Sequence, residues 1–435
     1  MQAVNFSERI CAPNRIFLCF LIISFLFELC RADIIAIEPG ESIQAAIDMA
    51  SPGDVIMVKS GTYNECINMN KPLTLNGMDV GNGMPILLNE GDSNKSVITL
   101  NSNGCIIKGM NIKNSKNYAL NILSSRNVVD SNTIIGGDTA IYLMASMSNI
   151  ITNNNISVDK NFGHGLVAMQ SFNNTIRSNT IRFSGLSSDG INLVRSTSNV
   201  ISYNRIMGNG LIGGSGISTR GSQYNIMKNN WIETRGLWGS SIYICASDDN
   251  SLESNKVEHS DFSGSGISVY LSSRNEILNN TACSKGQLNC EGIFLRRSKN
   301  NNISANRVYS TGWYGSGVTL LFSKENKLME NEANNSTHGI YLGESEKNNI
   351  EYNIAQHNSD NDIYIDFFCP YTSVKRNTGS LYIVEPRWSN IEDNSGSIKE
   401  FNVEFPDEVP IFTLADINDI IYNLSQFILV RFSET

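Results

Sequence analysis

Beyond about residue 118 the chain alternates polar and apolar positions in short runs, and the whole pattern returns every 22 to 26 residues. One phrase recurs as FNNTIRSNTI, TSNVISYNRI, DDNSLESNKV, KNNNISANRV and EKNNIEYNIA. Its skeleton is Asn, any residue, apolar, two polar, Asn, any residue, apolar. The leading Asn falls at 127, 149, 174, 199, 225, 250, 275, 301, 326 and 348. The second follows five places on, from Asn132 to Asn353 and then at Asn377 and Asn394. Nine residues ahead of most leading Asn stands a second phrase, as in Gly165-Leu166, Gly190-Ile191, Gly266-Ile267 and Gly339-Ile340. It opens runs in which Ile191 and Leu193, or Ile267 and Val269, share one side. Alternation at period two predicts strands. Each repeat therefore holds at least two short strands, split by a Ser-rich corner and an Asn turn, with a more variable third segment closing the circuit.

A period of this length fits a leucine-rich horseshoe or a parallel β-helix. The horseshoe needs a Leu-rich helical or coil return, whereas these repeats carry Ile and Val at period two on more than one side and show no helical periodicity. The fold expected is all-β: a right-handed parallel β-helix solenoid of the pectin-lyase-like kind, with a short N-terminal capping helix. The 57 Asn of this 435-residue chain then have a structural reason. Identical residues of stacked coils lie about 4.8 Å apart, close enough for their amides to hydrogen-bond along the axis. Asn also tolerates the left-handed backbone of a tight corner, a second reason to expect it there.

The termini break the pattern. Arg9 and Arg15 precede an uncharged stretch from Ile16 to Phe27, and Cys30-Arg31-Ala32 resembles a cleavage site, so residues 1–32 read as a secretory signal peptide. Residues 33–90 read as an N-terminal cap and first coils: Ile43, Ala46, Ile47 and Ala50 share a helical face, and Pro52-Gly53-Asp54 turns into a strand from Val55 to Val58. Residues 91–396 are the repeats. After Gly396 the ladder is expected to stop, with 397–435 forming a C-terminal cap or tail. Six Cys follow the leader, and Cys283 and Cys290 flank a short polar insertion where a disulfide could close a loop. A net charge of −9 leaves no basic surface for nucleic acid, and no apolar run after the leader is long enough to span a bilayer. The protein is expected outside the cytoplasm: secreted, periplasmic or at the cell surface.

The phrase SIQAAIDMASPGDVIMVKSGTYNE, then KPLTLNG, then the Gly-Ile and N-x-I-x-x-N-x-I repeats resemble the NosD-like periplasmic β-helix proteins and the related group with carbohydrate-binding and sugar-hydrolysis repeats; archaeal cell-surface proteins look similar. The resemblance covers roughly residues 34 to 396. It implies an extracytoplasmic pectin-lyase-like solenoid, with chemistry ranging from copper-site assembly to polysaccharide binding.

The column before the Gly-Ile phrase reads Thr139, His164, Asp189, Ser215, Ser240, Ser265, Glu291, Ser316 and His338. His164 and Asp189 lie one period apart, so they should stack about 5 Å apart and could share acid and base work. Gly163-His164-Gly165 and Ser188-Asp189-Gly190-Ile191 resemble fragments of polygalacturonase motifs, although the order differs and no paired acids flank the His. Asp248, Asp249 and Asp261, with Arg195, Arg220, Arg296 and Arg297, read as solvated charges rather than a lyase centre. Two places after the Gly stand Asn192, Ser218, Tyr243, Ser268, Phe294, Thr319 and Tyr341, with Tyr270 nearby and Trp238, Phe262, Trp313 and Tyr314 in the preceding loops. Aromatic faces beside amides suit sugar rings. Asn192, Tyr243, Tyr270, Phe294, Trp238, Trp313 and Tyr341 are accordingly the expected ligand-binding residues, and His164 with Asp189 the expected catalytic pair. Four His and 13 Met form no His-x-His and a single Met-x-x-Met, Met144-Ala145-Ser146-Met147, with no other soft ligand beside it in the sequence, so no metal site is expected; the cofactor stays open. The favoured reading is a glycan-binding β-helix. The alternatives are a polysaccharide hydrolase or lyase, or a structural envelope or NosD-like accessory protein without catalysis.

Overall fold

In a computed structural model, residues 32–91, 95–113 and 116–402 are described; all but the last residue of the expected signal peptide and nearly all of the expected tail lie outside them. The chain winds as a right-handed parallel β-helix of about 13 turns. A regular coil has three strands. In one, Thr175–Arg177 lies on face one, Thr180–Ser184 on face two and Asp189–Val194 on face three. Each pairs in parallel with its counterpart a coil earlier and a coil later. Face one forms a continuous 16-stranded sheet, while faces two and three share a 25-stranded one. They merge because Trp231–Cys245 and Lys256–Tyr270 run across both faces without a break.

The core follows from alternation. The middle residue of each face-one strand points inward, so Ile151, Ile176, Ile201, Met227, Leu252 and Ile277 stack as one column with no exposure. Face three contributes two such columns, among them Ile191, Ile217, Ile242 and Ile267, and Leu193, Ile244 and Val269. Close-packed columns of this kind supply the main stabilisation, each buried aliphatic side chain contributing roughly 1.5–3 kcal/mol.

The corners carry the rest. Asn149 donates its amide Nδ2–H to Oδ1 of Asn174 over 3.0 Å and its backbone N–H to the same oxygen over 2.9 Å. Asn174 repeats both bonds toward Asn199, and Asn199 toward Asn225. A second ladder runs from Asn132 to Asn394 in the same manner. From Asn132 and Asn149 onward each Nδ2 also donates to a backbone carbonyl of the coil behind, as Asn204 does to Ile176 at 2.9 Å. These amides are buried and fully satisfied, which is what makes their burial tolerable. The Ser-rich corner proves to be a third ladder: backbone N–H groups of Ser171, Ser196 and Ser222 donate to Oγ of the next serine at about 3.0 Å.

The corner conformation departs from what the Asn columns suggest. The left-handed residue is the one before each ladder residue, never the ladder Asn itself: Ser178 precedes Asn179, Tyr203 precedes Asn204, Arg195 precedes Ser196. Asn does fill that earlier place in several coils, as at 153, 173, 229 and 279. So do Tyr, Arg, Glu and Ala, at a cost of about 1–2 kcal/mol each. The ladder Asn are selected for hydrogen bonding, the conformation being met by their neighbours.

At the amino end, helix α1 (Ile43–Met49) covers the open coil with Ile43, Ala46 and Ile47. Ser42 caps it by accepting from Ala45 N–H, and the Glu65 carboxylate takes the N–H groups of Ile43 and Gln44. At the other end parallel pairing continues past Gly396: Leu381–Val384 pairs with Ile398–Phe401. The segment expected to begin a cap begins as one more rung. Cys283 and Cys290 both lie in or at the start of strands, and no disulfide closes the loop between them.

Candidate functional site

Face three is where the repeat stops repeating. Its geometry starts from the Gly of the Gly-Ile phrase. A Cβ at Gly190 would sit 2.6 Å from the Gly216 carbonyl oxygen, and one at Gly292 would sit 2.7 Å from that of Gly317. Coil-to-coil contact, not a special φ, excludes a side chain there. Beyond that Gly, Ile191 and Leu193 face the core, so the residue between them faces out. The outward column reads Tyr142, Val167, Asn192, Ser218, Tyr243, Ser268, Phe294, Thr319, Tyr341, Tyr364 and Tyr382, each in register with the next. Asn192, Tyr243, Phe294 and Tyr341 therefore stand in one line, two rungs apart, or roughly 10 Å. Ser218, Ser268 and Thr319 fill the rungs between.

Tyr270 lies two residues further along its strand, between Cys245 and Arg296. Trp238 and Trp313 belong to the corner between faces two and three, 47% and 78% exposed, beside Phe262 and Tyr314. The expected binding residues thus divide into a column on the sheet and a ridge along its edge. Sequence reasoning missed the ends of the column. Tyr118 stacks on Tyr142 with ring centroids 4.5 Å apart. At the other end His338, Tyr341, Tyr364 and Tyr382 form a chain of ring contacts at 5.2 to 5.8 Å. There Tyr341 Oη donates to Asp366 Oδ2 at 2.9 Å, and burial together with the Asp366 charge pushes the Tyr341 hydroxyl well up. Continuing the column at the repeat spacing reaches Tyr364, while Tyr382 follows after a coil shorter than the repeat.

His164 and Asp189 do stack. Nδ1 of His164 is 3.6 Å from Asp189 Oδ2 and accepts from Asp189 N–H at 3.2 Å. Asp189 Oδ1 accepts from Ser215 N–H at 2.7 Å. Burial pushes the imidazole down, against the Asp189 charge, with Arg220 adding to the fall. The ring is thus neutral near pH 7, its Nδ1 lone pair already engaged. Glu291 lies in the same column, four coils beyond Asp189, where burial lifts its carboxyl to about 8 despite a 3.1 Å hydrogen bond from the Ser265 hydroxyl. That separation, roughly 19 Å at the rung spacing, far exceeds the spacing of a glycosidase acid pair. Asp248 and Asp249 pair with Arg274 at 3.3 and 2.8 Å. Arg296, by contrast with the solvated reading, is only 5% exposed.

Among the described residues no three His, Cys, Asp or Glu side chains come together, and no helix is long and apolar enough to cross a membrane. The thiols of Cys105, Cys283, Cys290 and Cys369 are pushed up by burial, whereas soft-metal binding needs thiolate. Among the described residues, then, His, Cys, Asp and Glu do not form a three-ligand donor set for copper.

The fold and this face define an extended parallel β-helix with one non-repeating, aromatic-bearing sheet. The model of the family described as periplasmic copper-binding protein (NosD) matches residues 47–236 and 238–380, and the chain belongs to that family. Membership of a periplasmic family places it outside the cytoplasm. No curated protein matches the sequence. Among solved structures, a point mutant of DFA-IIIase from Arthrobacter chlorophenolicus A6 is similar at 12% identity and TM-score 0.50, over 69% of this chain and 95% of that one. The A-module of mannuronan C-5 epimerase AlgE6 from Azotobacter vinelandii has 12% identity and TM-score 0.45, over 85% and 97%. The catalytic domain of a GH87 α-1,3-glucanase in complex with nigerose has 12% identity and TM-score 0.43, over 86% and 68%. These likenesses concern the fold.

Proposed function

We propose that the protein binds a polysaccharide along face three and the aromatic ridge at its edge, without catalysing its cleavage. The observation that carries this reading is the single outward column in which Tyr243, Phe294 and Tyr341 alternate with Ser268 and Thr319. Aromatic rings present flat apolar faces to sugar C–H groups, and the hydroxyls between them offer hydrogen bonds. Two-rung spacing matches an extended chain whose alternate sugars turn the same face to the protein. Affinity electrophoresis in gels of neutral and acidic polysaccharides is the test. The wild type should be retarded by at least one of them, and Tyr243→Ala/Phe294→Ala/Tyr341→Ala should migrate freely; equal mobility of the two proteins in every gel would end the reading.

The coupling of His164 to Asp189 supports a second reading, a polysaccharide hydrolase or lyase centred on that pair. It predicts release of reducing ends or unsaturated products that His164→Ala and Asp189→Asn each abolish. Activity surviving both substitutions would remove the pair from the chemistry. A structural envelope or accessory role is what remains if neither binding nor turnover is found.

A further inference from the structure

Where face three ends, the chain turns through the serine ladder toward face one, and three successive coils leave a furrow of about 250 Å³ there. Leu271 and Phe322 give it apolar walls, Ser273 a hydroxyl, and Arg297, Lys299 and Lys324 its charge. Three cations meet in a chain of net charge −9, and no carboxylate is among the lining residues. Ser273, Lys299 and Lys324 occupy one register position in consecutive coils, so the two ammonium groups spring from backbones one rung apart. The Arg297 guanidinium lies over the Phe322 ring, 5.8 Å from its centroid.

The acids nearby are engaged at the furrow's ends. One coil below, Asp248 and Asp249 hold Arg274, and Asp248 Oδ1 also accepts from Ser273 N–H at 2.7 Å. One coil above, Glu346 stands 3.6 Å from Lys324, beyond hydrogen-bond length. The lining cations thus span two rungs and are bounded by acids. That is room for one anionic group or two, not for a polyanion backbone. Position adds to this. Leu271, Arg297 and Phe322 directly follow Tyr270, Arg296 and Leu321, the last residues of face-three strands.

We propose that this furrow is a subsite for one acidic sugar residue, a carboxylate- or sulfate-bearing hexose, of the glycan bound along face three. The proposal rests on the glycan-binding reading. The ring's C–H face lies against Phe322 and Leu271, while Lys299, Lys324 and Arg297 hold the oxyanion by charge-assisted hydrogen bonds. The furrow thereby selects acidic over neutral polymers, which the aromatic column alone does not.

Isothermal titration calorimetry on the full chain tests this with three probes: tri-galacturonate, a sulfated galactan oligosaccharide and its neutral counterpart. The wild type should prefer at least one acidic probe by about tenfold or more, as expected for hydrogen bonds to a charged group, and the preference should shrink with added salt. Whichever acidic probe binds tighter identifies carboxylate or sulfate as the anion. Lys299→Gln/Lys324→Gln, with both side chains exposed and melting unchanged, should lose the preference yet keep the neutral affinity. The proposal is overturned if the neutral probe binds as tightly as both acidic ones, if the double variant retains the preference, or if a short single-stranded DNA displaces the acidic sugar equally well. Tyr243→Ala/Tyr341→Ala separates the two readings. If it abolishes neutral binding while the lysine variant changes nothing, the face-three reading stands and the furrow falls; if no probe binds the wild type, both fall.

Discussion

Faces one and three are built from the same chain in the same coils, yet they differ in what they keep constant. On face one, from Val128–Asp130 to Asn349–Glu351, each strand is three residues around one inward aliphatic, bracketed by two Asn whose amides bond along the stack of coils. Nothing in that unit changes much from coil to coil, because any replacement would orphan a buried donor or acceptor. On face three the inward columns are equally regular, but the outward column passes from Tyr142 through Asn192 and Ser218 to Tyr341. Regularity marks where the coil is held together, and variation along one outward line marks where it is free to differ.

Substitution on each face puts this contrast at risk. The largest effect should come from Asn204→Leu. It strands the backbone N–H and Nδ2–H of Asn179 and the carbonyl of Ile176 in a buried corner. Two or three unsatisfied buried groups at roughly 1–3 kcal/mol each give a loss of about 4 kcal/mol, read as a lower urea midpoint. A loss below about 1 kcal/mol would mean the ladder is dispensable.

Acid should act next, through the buried histidines. His259 is fully buried between faces two and three. Nε2–H donates to the Gly236 carbonyl at 3.2 Å, and Nδ1 lies 3.0 Å from the Thr234 hydroxyl, which donates to it when the ring is neutral. Burial lowers its pKa, as it does those of His164 and His338. A folded-state pKa below the unfolded value near 6.5 means the unfolded chain takes up protons first. The histidine contribution to stability is therefore complete above about pH 6.5 and falls as pH drops below it, by up to about 1.4 kcal/mol per pH unit per histidine, while the single Glu291 carboxyl, lifted to about 8 by burial, opposes it with the reverse sign. Urea midpoints between pH 5 and 8 check the direction; greater stability at pH 5 than at pH 7 would contradict it.

Tyr341→Phe should change little in stability, about 1 kcal/mol, since it removes only the hydrogen bond to Asp366. Its glycan affinity should stay near wild type if the ring face makes the contact, and titration calorimetry would show it. The smallest effect belongs to Arg274→Gln, which releases Asp248 and Asp249 on an exposed corner. Its melting temperature should match wild type at high salt and fall only slightly at low salt.

The architecture was legible because a solenoid writes one physical requirement many times. The Asn positions, the period and the Gly-Ile strand all follow from coil-to-coil contact, and the capping helix from its spaced aliphatics. What the letters concealed was the left-handed residue, since Ser178, Tyr203, Ala305 and Glu330 share a conformation but no chemistry. The fused strands at Trp231–Cys245 and Lys256–Tyr270 were equally hidden, because no local signal separates a bend from a break. At the candidate site the periodicity put Asn192, Tyr243, Phe294 and Tyr341 in one line. The Tyr364 and Tyr382 extension was missed where shorter coils shift the spacing. The basic furrow could not be read at all, for it joins Leu271, Lys299 and Lys324 across three coils at positions that carry other residues elsewhere.

The amide ladders also have a direction: each of these Asn donates an Nδ2–H to the Oδ1 of the coil ahead, and its own Oδ1 accepts from the coil behind. Such a column is modular. Excising residues 199–224 would join Ser198 to Asn225 and offer Asn174 an acceptor identical to the one it lost. The second ladder closes in the same way, with Asn230 taking the place of Asn204 ahead of Asn179. Length in this protein can therefore change by whole coils without redesigning either amide ladder, and face three can be lengthened by a rung at a time.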